Sequence, residues 1–235
     1  MNIAVILPRW VGDACMAAPL LRGLRAHFGP AARITGVMRP LLGDLFAGTG
    51  WLDAAIGYDR HKRDPAVGFR AAARALRDPR PDATLVLPGS LSAAALAFRG
   101  GGRRRVGFAG TLRRLLLTQV LPEPRAGGRR VGQPPPQAYL QIGAAIGLPP
   151  QPERLELATT PDDERLADDT LARLFPGRDP ADGPLVVLND NSSNGNARTW
   201  GTENHAALAR RLVERLPGAR VLVHCGPGDR EPARA

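Results

Sequence analysis

Asp13 stands where this chain could place a general base. It closes the run Pro8-Arg9-Trp10-Val11-Gly12-Asp13, between the apolar stretch Ile3-Ala4-Val5-Ile6-Leu7 and a helical pattern of Met16, Leu20, Leu21, Leu24 and Phe28. In an open α/β sheet, ligands bind in the crevice outside the carboxyl ends of the strands. A carboxylate held there can take a proton from a reacting hydroxyl. The same position suits a helix N-cap, whose side chain accepts backbone N–H bonds. The residues alone leave both roles open. Gly12 predicts a tight turn with room for close approach of a ligand.

A second constellation follows another apolar run, Leu185–Leu188. Asn189-Asp190-Asn191-Ser192-Ser193-Asn194-Gly195-Asn196-Ala197-Arg198-Thr199-Trp200 offers small polar groups, a glycine and one fixed cation. Such a loop can present N–H groups and a guanidinium to a diphosphate, and it can equally be a polar surface loop anchored by Trp200. It is neither a Walker A loop nor a G-x-G-x-x-G fingerprint. A third segment, Gly226-Pro227-Gly228-Asp229, reads as a turn in which Asp229 could hold a ribose hydroxyl. His27, His61, His205 and His224 lack metal-ligand spacing, as do Cys15 and Cys225, so no metal is expected. No G-x-S-x-G nucleophile motif is present.

Charge adds a further constraint. Lys and Arg number 32 against 22 Asp and Glu, a formal +10, and Lys62 is the single lysine. The richness in Arg, Ala, Gly and Pro points to codon bias as well as function. Arg99, Arg103, Arg104, Arg105, Arg113, Arg114, Arg125, Arg129 and Arg130 cluster against one acid, Glu123. This is a local electropositive region suited to an anionic partner, or else a solvated loop. Nucleic acid is a poor fit, because single-strand binding calls for interleaved aromatics and only Phe98 and Phe108 lie near these arginines.

These groups need a scaffold, and strand-like and helix-like segments alternate along the chain as in a parallel sheet with covering helices. Strands are expected over 2–7, 33–38, 53–57, 83–87 and 105–108. Helices are expected over 14–28, 41–46, 66–77, 91–98 with Ser90 as N-cap, and 137–146. The stretch 123–136 reads as loose loop, since Pro134-Pro135-Pro136 is incompatible with a helix interior. Domain boundaries are expected at 1–150, a connector carrying one helix over 151–183, and a second α/β unit over 184–235. That unit holds only a strand (185–188), a helix (203–216) and a strand (220–224), too little to bury a normal core. The chain therefore reads as C-terminally truncated. No apolar run reaches the roughly 18–20 residues that span a bilayer, and the N-terminus lacks a signal-peptide pattern, so a cytoplasmic location is expected.

Four landmarks in order resemble glycosyltransferase family 9, the lipopolysaccharide heptosyltransferases, and within it the heptosyltransferase II branch. They are Ile6-Leu7-Pro8-Arg9-Trp10-Val11-Gly12-Asp13, Leu85-Val86-Leu87-Pro88-Gly89-Ser90-Leu91-Ser92-Ala93, Arg105-Val106-Gly107-Phe108 with Leu115-Leu116-Leu117-Thr118, and Arg198-Thr199-Trp200 where the family has Lys-x-Trp. The resemblance implies a GT-B architecture of two Rossmann-like domains, the second incomplete here. It also implies inverting transfer of heptose from ADP-heptose to a lipopolysaccharide inner-core hydroxyl, with Asp13 as general base and no cofactor beyond the donor substrate. Arg198, Ser193, Asn194 and Asp229 would hold the donor. Gly12, Ser90, Arg103, Arg104 and Arg105 would meet the anionic acceptor, with the enzyme soluble or peripheral at the cytoplasmic face of the inner membrane. The family's later Asp-x-Gly-Pro-x-His donor loop has no counterpart before Ala235, which implies an inactive or partial form of an active family member. The alternative is a non-catalytic truncated family remnant or a basic module that binds an anion or nucleic acid.

Overall fold

The computed structural model describes residues 1–78, 80–110, 112–127, 129–189 and 200–224. The chain divides into two compact units, Met1–Asp163 and Glu164–Ala235.

The first unit is built on β1 (Asn2–Ile6), β2 (Arg33–Met38), β3 (Ala54–Gly57), β4 (Ala83–Val86), β5 (Arg104–Phe108) and β6 (Gln119–Leu121). They form one parallel sheet in the order β3-β2-β1-β4-β5-β6. Strand β1 is central and apolar on both faces because helices cover both sides. Its odd residues, Ile3 and Val5 with Leu7 just beyond, join the core beneath α2 (Ala18–Phe28) and α6 (Pro135–Ala144). Its even residues, Ala4 and Ile6, face α4 (Phe69–Arg77) and α5 (Leu91–Arg99). The alternation follows from the two-residue period of a strand. Each fully buried Leu or Ile, such as Leu20, Leu21, Leu24 and Ile142, contributes about 1.5–3 kcal/mol of hydrophobic stabilisation.

Three local differences from the sequence reading have clear causes. The single helix expected over 14–28 is two, α1 (Val11–Cys15) and α2. Pro19, in the first turn of α2, has no N–H for the Cys15 carbonyl and its ring crowds that oxygen, so the ladder breaks. Helix α6 begins at Pro135, with Pro136 after it. These are the opening positions of the helix, where an N–H has no intrahelical partner to lose. Part of the expected loop is strand, namely the short antiparallel pair β7 (Arg125–Ala126) and β8 (Arg129–Arg130), and β6 just before it is a strand that the sequence did not mark. Helix α3 (Leu41–Ala47) follows β2 as expected.

Beyond α6 the chain is strapped to the first unit. Arg22 donates to the Pro152 and Arg154 carbonyls at 2.8 and 3.1 Å and pairs with Glu156 at 3.1 Å. Helix α7 (Pro161–Leu174) crosses into the second unit. That unit is a β-α-β motif in which β9 (Leu185–Asn189) and β10 (Arg220–His224) pair in parallel and α8 (Thr202–Arg215) joins them.

Candidate active site

Strand order reverses at β1. The chain leaves it toward β2 and β3 on one side, while β4, β5 and β6 lie on the other. This is a topological switch point, where loops diverge and open a crevice. A cavity of about 220 Å³ lies there, walled by Leu7, Pro8, Met38, Tyr58, Pro88 and Ala93. Every one of these residues follows, or closes, the carboxyl end of a strand or starts the helix after it. The polar groups reaching the same cavity are Arg9, Arg39, Asp59, Arg60, His61, Ser90 and Ser92.

The loops hold these groups in a bonded set. Arg39 Nε donates to Asp59 Oδ2 at 3.0 Å, and the His61 N–H donates to Asp59 Oδ1 at 3.0 Å. Burial raises the Asp59 pKa, but the His61 N–H, the Arg39 hydrogen bond and the charges of Arg39 and Arg9 outweigh it, so the carboxyl lies below its usual value. Arg60 Nη1 reaches Ser92 Oγ at 3.2 Å, and Ser92 Oγ meets Ser90 Oγ at 3.2 Å. Ser90 Oγ accepts from the Ala93 N–H at 3.2 Å, the N-cap that the sequence predicts. Three arginines and one aspartate leave the cavity with a net positive field suited to an anionic group.

Asp13 sits in the first turn of α1, directly after β1, and is partly exposed. It is not a cap. The N-cap position is Trp10, and no side-chain cap bond is made. Among the described residues, no hydrogen bond or ion pair is recorded at its carboxylate. Its charge is felt by Tyr139 on α6, whose phenol is pushed up to about 12, first by burial and then by Asp13. Gly12 does not turn the chain. It lies inside α1, and a Cβ there would meet nothing within 4 Å. The surface above it is therefore open.

Arg103, Arg104 and Arg105 stand apart from this crevice. Arg104 pairs in register with Ala83 at the amino end of β4, so all three lie at the opposite end of the sheet. Arg104 Nη2 donates to Gln119 Oε1 at 3.0 Å and to the Ala145 carbonyl at 2.6 Å. Arg105 donates to the Leu116 and Gly102 carbonyls at 2.8 and 2.7 Å and lies over the Phe98 ring. The Arg103 N–H donates to the Pro81 carbonyl at 3.0 Å. Sequence clustering hid this, because it does not show which end of a strand an arginine occupies. The arginines that do reach the cavity, Arg9, Arg39 and Arg60, each come soon after a strand's carboxyl end, and that signal was available in the sequence. Ser193, Asn194, Arg198 and Asp229 lie outside the described residues. Trp200 is 54% exposed and meets His205 edge-on, with ring centroids 5.2 Å apart.

The family model for glycosyltransferase family 9 (heptosyltransferase) matches residues 69–235. The chain belongs to that family. Within glycosyltransferase family 9, lipopolysaccharide heptosyltransferase 2 of Escherichia coli (strain K12) is 26% identical over 243 residues, covering 98% of this chain and 65% of the relative. The solved structure of E. coli ADP-heptose lps heptosyltransferase II matches with a TM-score of 0.73 at 24% identity, over 99% of this chain and 66% of that one. A family 9 enzyme from Veillonella parvula matches with a TM-score of 0.80 at 19% identity, over 99% and 64%. These likenesses show the α/β fold of the GT-B class. The chain spans just under two thirds of the length of the curated relatives it matches. Asp13 precedes the part matched by the family model and falls within the first unit.

Proposed function

We propose that this chain carries the acceptor side, and the beginning of the donor side, of an inverting glycosyltransferase. The enzyme would transfer heptose from ADP-heptose to a hydroxyl of the lipopolysaccharide inner core, at the cytoplasmic face of the inner membrane. The names of the relatives supply ADP-heptose as donor and lipopolysaccharide as acceptor. The observation that carries the mechanism is the position of Asp13, at the carboxyl end of the central strand and beside the switch point, with its carboxylate uncommitted to a cap.

Asp13 acts as general base. As the acceptor oxygen attacks the anomeric carbon, its proton passes to Asp13. The bond from the anomeric carbon to the diphosphate breaks, and ADP leaves with the electron pair. Proton removal is needed only as the new bond forms, so a carboxylate suffices. Arg198 would stabilise the charge developing on ADP, with Ser193, Asn194 and Asp229 contributing donor contacts. The anionic groups of the acceptor are assigned to Arg9, Arg39 and Arg60, at the same end of the sheet as Asp13. Ser90 helps hold Arg60 through Ser92. Among the described residues, no helix is long and apolar enough to cross a membrane, so a lipid-linked acceptor would be met at the surface.

The test is Asp13→Asn in the full-length product of the gene. Transfer should fall by about 10²–10⁴-fold while calorimetry finds ADP-heptose binding unchanged. Equal loss of both would show Asp13 to be structural and overturn the assignment.

A further inference from the structure

A second cavity, of about 340 Å³, opens at the carboxyl ends of β4 and β5. That volume falls within the roughly 300–1,000 Å³ of small-molecule sites. It begins at Gly89, one residue from the Pro88 that walls the first cavity. Leu87, Phe108, Pro124 and Val131 give it apolar walls, and Gln133 supplies a polar group. Gln133 Oε1 is shut from solvent and accepts no hydrogen bond. A buried amide oxygen without a donor costs about 1–3 kcal/mol, so its retention calls for an explanation. Its backbone is stiffened by the prolines that follow, since a residue before proline is confined to extended conformations. The backbone that carries the amide is therefore held in place, while the side chain keeps its own torsions.

The chemistry of the walls selects the ligand. The Arg113 guanidinium is buried and donates to the Pro88 and Ala109 carbonyls at 3.2 and 2.7 Å. Glu123 brings negative charge to the rim. Arg113 and Glu123 carry opposite charges, so the lining has no net charge to draw an anion, and apolar walls suit the C–H face of a ring. Ala138 lines the cavity from α6, and the next residue, Tyr139, is the one that feels the Asp13 charge. We infer that this cavity is a neutral sugar subsite in which Gln133 Oε1 accepts a hydrogen bond from a hydroxyl of the acceptor, making Gln133 a specificity-determining residue. The inference rests on the glycosyltransferase reading for the identity of the ligand as acceptor. The arginine-lined cavity takes the anionic part of that acceptor, and this one takes a neutral ring.

The experiment uses the 235-residue protein with methyl α-mannopyranoside and its monodeoxy analogues as probes, followed by NMR of the Gly89, Phe108, Gly132 and Gln133 amides. Addition of the glycoside should shift these resonances. Gln133→Leu should raise Kd about tenfold, the loss of one hydrogen bond. One monodeoxy analogue should bind the wild type as weakly as the parent glycoside binds the variant, and should lose nothing further in the variant. Gln133→Leu should also unfold at an equal or higher denaturant midpoint, because an apolar group replaces an orphaned acceptor. Unshifted resonances, or an unchanged Kd in the variant, would overturn the inference, as would a destabilised variant that binds normally. None of these readings depends on glycosyl transfer, so failure of the general-base assignment leaves them intact and distinguishable.

Discussion

Arg39 Nε lies 3.0 Å from Asp59 Oδ2, joining the loop after β2 to the loop after β3 across the floor of the first cavity. The Asp59 side chain is only 8% exposed and that of Arg39 is 28% exposed. The pair therefore fixes the geometry of an otherwise loop-built wall.

That pairing predicts an acid-side loss of stability. The folded-state pKa of Asp59 is lowered, so its contribution is fully present above the unfolded carboxylate value of about 3.9. It disappears as pH falls through the lower folded value. Asp59→Asn should cost about 1–3 kcal/mol at neutral pH and flatten the acid limb of a pH series of denaturant titrations. An acid limb identical to that of wild type would show that other carboxylates set it.

Arg60 gives a functional prediction. Its guanidinium reaches Ser92 Oγ at 3.2 Å on the wall of the arginine-lined cavity. Arg60→Ala should weaken binding of an anionic acceptor fragment by about tenfold, the order of one charged hydrogen bond. The salt dependence of binding should become shallower, with ADP-heptose affinity unchanged. An equal effect on the donor would place Arg60 elsewhere in the reaction.

Tyr139 reports on Asp13 directly. The chain has two tyrosines, Tyr58 and Tyr139. In a Tyr58→Phe background, the phenolate transition in an ultraviolet titration belongs to Tyr139, with a midpoint pushed up to about 12. Asp13→Asn removes a negative charge that opposes phenolate formation, so the midpoint should fall. It should stay above the ordinary value near 10, because burial is the larger cause. No change would show that the carboxylate is screened from the phenol.

Much of this protein was written in local sequence. Apolar runs marked β1, β2 and β4, because strands buried on both faces leave a continuous hydrophobic trace, and shorter runs marked β3 and β5. Ser90 was legible as an N-cap from its place before an apolar helix. Asp13 could be placed at a strand's end, and the four ordered landmarks named a family to which the chain does belong.

Tertiary structure decided the rest. Only the break at Pro19 and the start of α1 at Val11 separated the capping role of Asp13 from a free carboxylate. Only the parallel register showed that Arg103, Arg104 and Arg105 occupy the amino ends of strands, while Arg9, Arg39 and Arg60 converge at the carboxyl ends. Residues of one type and charge carry the same local signal at both ends of a strand. Which end they occupy, and which loops lie beside them, depends on pairings across as many as 80 positions, as between Asn2 and Asp82. Local periodicity holds no record of such distances. The orphaned oxygen of Gln133 was invisible for the same reason, since whether a polar atom finds a donor depends on what the whole fold places around it.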